Sequence, residues 1–206
     1  MPKTLIFDLD GTIVDIQPIF IRLFNELSKE FGYAPITPSE LPDLKKLHLK
    51  QLIFRRLGWR IVFLPKMLRR GREEYAKLIA EVNLFPGIDG VIQTLQHEGH
   101  RIGIVSSSER STVLALLEKF GIMADFVYQS SLFGKATTLR TVFAEQSIQP
   151  EKALYVGDEV RDVDACKKAG LQIIAVTWGL NTKEALLATG VETVDTREAL
   201  LERLRN

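Results

Sequence analysis

Asp8 and Asp10, one residue apart in Phe7-Asp8-Leu9-Asp10-Gly11-Thr12, are the pair in this chain best placed to do chemistry. They follow the apolar run Leu5-Ile6-Phe7, which reads as a short buried strand. Alternate residues of an extended chain point the same way, so both carboxylates can converge on one small volume at the strand's end. Gly11 lets the chain turn sharply beyond them. Crowded carboxylates are costly unless a cation or a shared proton relieves them. The pair therefore predicts a bound cation or acid–base work.

Three later segments answer it. Ile104-Val105-Ser106-Ser107-Ser108 brings hydroxyls to the end of another apolar run. A hydroxyl and the N–H groups freed at a strand-to-helix turn suit a phosphate, so Ser106 and Ser107 are candidate phosphate ligands. Ser108 reads as an N-cap for a helix from Glu109. Lys135 opens a helix in Leu132-Phe133-Gly134-Lys135, where the helix dipole disfavours a cation unless an anion lies in front of it. In Tyr155-Val156-Gly157-Asp158-Glu159-Val160-Arg161-Asp162 a third strand ends in Gly-Asp. Asp162, one helical turn on, can face the same cleft. Asp8, Asp10, Asp158 and Asp162 together make a hard, all-oxygen set without His or Cys, which predicts Mg2+ rather than zinc.

These residues need a scaffold that gathers strand ends. Residues 3–9, 101–106, 126–129, 153–156 and 172–176 read as buried strands, and after the second each is separated from the next by a helical pattern. Short, doubly buried strands alternating with helices predict an α/β fold with a Rossmann-like parallel sheet, whose ligands sit at the C-terminal strand ends. Residues 16–85 break the alternation with no clear strand. Three helical patterns stand there: Ile19 to Phe31, closed by Gly32; Leu49 to Leu57, closed by Gly58; and Tyr75, Leu78, Ile79 and Val82. The expected organisation is a core of residues 1–15 and 86–206 with a helical cap, residues 16–85, inserted after the first strand.

Composition excludes several classes. With 46% apolar and 26% charged residues, the 206-residue chain reads as an ordinary globular protein. No run approaches the ~20 apolar residues of a membrane span. Met1-Pro2-Lys3 leads straight into a strand, unlike a secretory signal. One cysteine, Cys166, allows no internal disulfide, so a reducing, cytoplasmic setting is expected. The net charge of +1 hides an uneven distribution: residues 42–72 hold ten bases against Asp43 alone, a net +9, leaving −8 elsewhere. That basic segment is expected to be a solvated face, a docking surface, or a means of capturing an anionic group of the substrate. For the last, Arg55, Arg56, Arg60, Arg69, Arg70 and Arg72 are the candidates, because guanidinium matches carboxylate geometry. His48, His97 and His100 do not group with the acids, and Cys166 falls on an apolar helix face. Trp178, after a strand end, reads as packing.

In order and spacing these motifs resemble the haloacid dehalogenase superfamily, in its phosphatase branch, over essentially the whole chain. Asp8-Leu9-Asp10-Gly11-Thr12 fits the first motif, Ser106 the second, Lys135 the third, and Gly157-Asp158 through Asp162 the fourth. Ala165, Ala169-Gly170 and Val176-Thr177-Trp178-Gly179 look like the helical-cap subgroup that includes phosphoglycolate phosphatase-like members. Two positions depart: Ser106-Ser107 stands where Thr-Asn is common, and Lys135 lacks a following proline.

The resemblance implies that Asp8 is the nucleophile, forming an aspartyl-phosphate, and that Asp10 protonates the leaving group and then activates water. It implies Mg2+ on the Asp8 carboxylate, the Asp10 backbone carbonyl and Asp158. Ser106 and Lys135 would bind phosphoryl oxygens, with Asp162 and Glu159 in the surrounding layer. The implied partner is a small phosphate ester, phosphoglycolate among them, and not a nucleic acid. A phosphomutase would use the same residues. A non-catalytic phosphate-binding or docking protein on this fold would be expected to have lost Asp8 or Asp10. A response-regulator receiver is excluded, since its acids precede the phosphorylated aspartate by a strand.

Overall fold

Alternation along the first strand decides how the molecule is layered. In β1 (Thr4–Phe7) Leu5 and Phe7 point to one face and Ile6 to the other, and all three are fully buried. A strand buried on both faces must lie inside a covered sheet. The computed structural model, which describes residues 3–205, places it there.

After β1 the chain makes a two-residue strand, β2 (Val14–Asp15), and then four helices: α1 (Gln17–Phe31), α2 (Leu41–Leu44), α3 (Leu49–Leu57) and α4 (Leu64–Lys77). The short β3 (Asn83–Leu84) returns antiparallel to β2. Helix and strand then alternate through α5 (Ile88–His97), β4 (Arg101–Ser106), α6 (Arg110–Lys119), β5 (Phe126–Gln129), α7 (Lys135–Glu145), β6 (Ala153–Gly157), α8 (Val160–Ala169), β7 (Gln172–Val176), α9 (Lys183–Leu187), β8 (Glu192–Val194) and α10 (Arg197–Arg205). The six long-range strands form one parallel sheet in the order β5-β4-β1-β6-β7-β8. From β1 the chain builds outward through β4 and β5, then crosses to β1's other edge with β6. That change of direction opens a crevice at the C-terminal ends of β1, β4 and β6.

Leu5, Phe7, Ile104 and Val156 pack with α5, α6 and α10 on one face. Ile6, Val105 and Tyr155 pack with α7 and α8 on the other. A separate apolar cluster around Tyr33, Leu57 and Met67 holds α1, α3 and α4 together. No described helix is long and apolar enough to cross a membrane.

Three local expectations are corrected. The third expected helical pattern of residues 16–85 falls instead on α4, Leu64–Lys77, and does not run through Val82; Pro65 stands in its first turn, where its missing N–H costs nothing. Ile79–Glu81 is a short 3-10 turn beyond it. The stretch also holds a strand, β3, because two residues paired to β2 leave no periodicity to read. Finally β8 joins the sheet beyond the last expected strand, too short and too polar to declare itself.

Candidate active site

The sheet register fixes where the acids fall. Phe7 pairs with Ile104 on one side and Val156 on the other. The Asp8 N–H continues the ladder by donating to the Val156 carbonyl at 2.8 Å. Asp8 thus leaves the sheet beside Gly157, and its carboxylate is buried. Oδ1 accepts from the Leu9 N–H at 2.9 Å. Oδ2 lies 3.0 Å from Lys135 Nζ, an ion pair without hydrogen-bond alignment, so this buried oxygen lacks a directed donor.

Gly11, at φ +87°, turns the chain away, and a Cβ there would collide with the Asp158 carboxylate. A Cβ on Gly179 would strike Asp158 as well. Asp158 is therefore wedged between two glycines from opposite ends of the chain. Its Oδ1 accepts from the Thr12 hydroxyl at 2.8 Å and its Oδ2 from the Leu180 N–H at 2.7 Å. Trp178 packs beside this turn, donating from Nε1 to the Thr12 carbonyl at 3.2 Å.

Lys135 begins α7 and is buried, with Nζ 2.6 Å from Asp162 Oδ1. Asp162 and Glu159 form the capping box that starts α8, which satisfies N–H groups of the helix end and fixes both side chains. Glu159 in turn pairs with Arg161 at 2.6 Å. Arg161 also donates to the Leu132 carbonyl at 3.2 Å and to Ser107 Oγ at 3.4 Å. Carboxylate oxygens of Asp8, Glu159 and Asp162 lie within 4.8 Å of one another, a group that does not include Asp158 or Asp10. The four expected acids thus share the crevice, but two of their carboxylates are held by other partners.

Burial dominates the electrostatics. It pushes the Asp8 carboxyl up to about 7, against the opposing pull of Lys135. Burial, then the charges of Glu159, Asp162 and Asp8, hold Asp158 well above the usual carboxylate range. Lys135 shows the reverse balance: burial works against its charge, but Asp162 and Asp8 outweigh it and raise its pKa. Against Asp8, Asp158, Glu159 and Asp162 stand the buried Lys135 and the largely covered Arg161. Excess buried negative charge, all-oxygen donors and the undirected Asp8 Oδ2 fit a divalent cation. The two hydrogen bonds on Asp158 do not prevent ligation, since each carboxylate oxygen offers two acceptor sites.

Asp10 is held by three hydroxyls. Its Oδ1 accepts from the Tyr75 phenol at 2.8 Å, and its Oδ2 from Ser106 Oγ at 3.1 Å and Ser108 Oγ at 2.7 Å. Ser108 is thus not the side-chain cap of α6, whose N-cap is Glu109 without a side-chain hydrogen bond. The acid opposite competes successfully for its hydroxyl. Tyr75 and Arg161 were missed as site residues. Arg161 could have been found from its place two residues after Glu159, inside a motif. Tyr75 carries no local signal, because its helical spacing reads as core.

A cavity of ≈ 310 Å³ opens between Asp10, Ser107, Ser108, Glu159 and Arg161 on the sheet side and the largely apolar inner faces of the helices before β3. Of the six candidate arginines only Arg72 lines it, donating to the Ser107 carbonyl at 3.2 Å; Lys45 lines it too. The others are turned elsewhere: Arg56 pairs with Glu40, Arg70 with Glu74, and Arg60 stacks on Trp59.

Comparison with known proteins adds an independent line. The family model described as haloacid dehalogenase-like hydrolase matches residues 5–176. A phosphoglycolate phosphatase of Synechococcus elongatus is 32% identical over 189 residues, covering 90% of this chain and 89% of that protein. A haloacid dehalogenase-like family protein from Streptococcus pneumoniae matches over 98% of both chains with a TM-score of 0.83 and 23% identity. CbbY from Rhodobacter sphaeroides, solved in complex with phosphate, matches 97% of this chain and 96% of its own with a TM-score of 0.75 and 24% identity. At such identities the two structures speak for the fold.

Proposed function

Because the chain belongs to the haloacid dehalogenase-like hydrolase family, we propose that it is a Mg2+-dependent phosphatase of small phosphate monoesters, working through a phosphorylated Asp8. The observation that carries this reading is the buried Asp8 carboxylate at the end of the central strand, with Lys135 Nζ 3.0 Å from an oxygen that no donor is aimed at. An oxygen held so, inside a crevice of fixed dipoles, is ready to form a bond to phosphorus.

In the first displacement the Asp8 carboxylate oxygen bonds to phosphorus as the ester oxygen leaves, and Asp10 gives that oxygen its proton. In the second, Asp10 takes a proton from water as the water oxygen bonds to phosphorus and the acyl-phosphate bond breaks. Ser106, Ser107 and Lys135 take the phosphoryl oxygens, and Asp162 holds Lys135 in place. The Asp8 and Asp158 carboxylates and the Asp10 backbone carbonyl would hold Mg2+, which supplies the charge that lets an anionic nucleophile meet an anionic ester. Residues 1–15 and 86–206 act as the core in this reading and residues 16–85 as the cap. A cytoplasmic setting fits the single, buried Cys166.

Phosphoglycolate is the proposed substrate type, supported by the Synechococcus relative and by Arg72, the one of the six candidate arginines that lines the cavity, beside Ser107. A panel of phosphate monoesters assayed by phosphate release, with wild type and Arg72→Ala, tests the proposal. Phosphoglycolate turnover should need Mg2+ and stop with EDTA. Arg72→Ala should raise KM for phosphoglycolate by about tenfold, the scale of one charge-assisted hydrogen bond, and raise that for p-nitrophenyl phosphate far less. Undiminished activity in metal-free buffer, or no ester hydrolysed at all, contradicts the reading.

A further inference from the structure

Asp10 is the proposed proton carrier, yet none of its three hydrogen-bond donors belongs to β1 or to the turn that follows it and bears Asp10. Ser106 and Ser108 share Oδ2. When a phosphoryl group draws Ser106 away, Oδ2 loses one of its holders. Oδ1 has a different partner, the phenol of Tyr75 on α4. Three residues earlier on that helix, on the same face, Arg72 donates to the Ser107 carbonyl. One helix thus touches the proton carrier and the phosphate-side loop at two adjacent points.

Tyr75 is buried, and a phenylalanine would fill its place; only the hydroxyl reaches Asp10. Burial and the neighbouring Asp10 charge push the phenol pKa up, so it remains a donor.

We infer that Tyr75 is a positioning residue for proton transfer: from the cap helix it sets the Asp10 carboxyl in place, so that the acid is aligned only when α4 is seated against the strand ends. The inference rests on the reading of Asp10 as acid–base group. It predicts a selective defect. Phosphoglycolate leaves an alkoxide that must be protonated as the P–O bond breaks, whereas p-nitrophenyl phosphate leaves a stabilised phenolate that needs no proton.

The test compares kcat/KM of Tyr75→Phe on the two substrates, a quantity that reports only the steps through formation of phospho-Asp8. Loss on phosphoglycolate should exceed loss on p-nitrophenyl phosphate by about tenfold or more, a part of what general acid catalysis contributes. An unfolded fraction lowers both values equally and cannot change their ratio. In an Asp10→Asn background, Tyr75→Phe should alter the ratio no further. Equal losses on both substrates, with Asp10→Asn still discriminating between them, overturn the inference alone. Failure of Asp10→Asn to discriminate removes the acid role of Asp10, and the inference with it.

Discussion

Asp8→Asn should reduce kcat by a factor on the order of 10⁴ or more while leaving the protein at least as stable as the wild type. The two effects have one cause. Asn keeps the shape of the side chain and its Oδ1 contact with the Leu9 N–H but removes the charge. That charge is the attacking group and, in the proposed mechanism, a metal ligand. It is also expensive in the resting protein, where burial lifts the Asp8 carboxyl to about 7. Lys135 is not stranded by the change, because Asp162 remains 2.6 Å from its Nζ. Thermal melting without added metal should show an unchanged or higher midpoint beside the lost turnover. Near-normal turnover contradicts the role of Asp8.

Lys135→Met should do the opposite to stability. It leaves Asp8 and Asp162 buried and facing each other without their shared cation. Removing one partner of a buried ion pair costs about 3–5 kcal/mol, because the remaining charge is neither solvated nor paired. Urea denaturation at pH 7 should show that loss, and phosphatase activity should disappear with it. Adding Asp162→Asn to the variant removes one stranded anion and should recover part of the stability without the activity. A loss below about 1 kcal/mol shows that Lys135 does not hold the acids together.

The places of these residues were legible in sequence because each sits at a point where local rules change. Asp8 follows an apolar strand, Lys135 stands at a helix's first position, and Asp162 lies one helical turn after the Gly-Asp that ends another apolar run. Such places leave a mark in a few neighbouring residues. The orientation of Asp158 leaves none, because it is set by Thr12, Gly11 and Gly179, brought together only by the fold. The cap is harder for the same reason. Net charge located a basic segment, but which base faces the cavity depends on how each helix is rotated against its neighbours. Arg72 does, Arg69 and Arg70 do not, and Lys45 was outside the six arginines considered. Tyr75 shows the limit most clearly, since its spacing marks it as core and its hydroxyl acts across 65 residues.

The phosphorylated Asp8 is the central claim, and Asp10→Asn offers the most direct measurement of it. With p-nitrophenyl phosphate, whose leaving group needs no proton, this variant should still form the intermediate but lack the base that hydrolyses it. Mixing enzyme with excess substrate should give a burst of about one nitrophenolate per enzyme, followed by slow turnover. Mass spectrometry of the acid-quenched protein should then place one phosphate on the peptide that carries Asp8. A linear release without a burst, with no phosphate on Asp8 or with phosphate on another residue, would contradict the account.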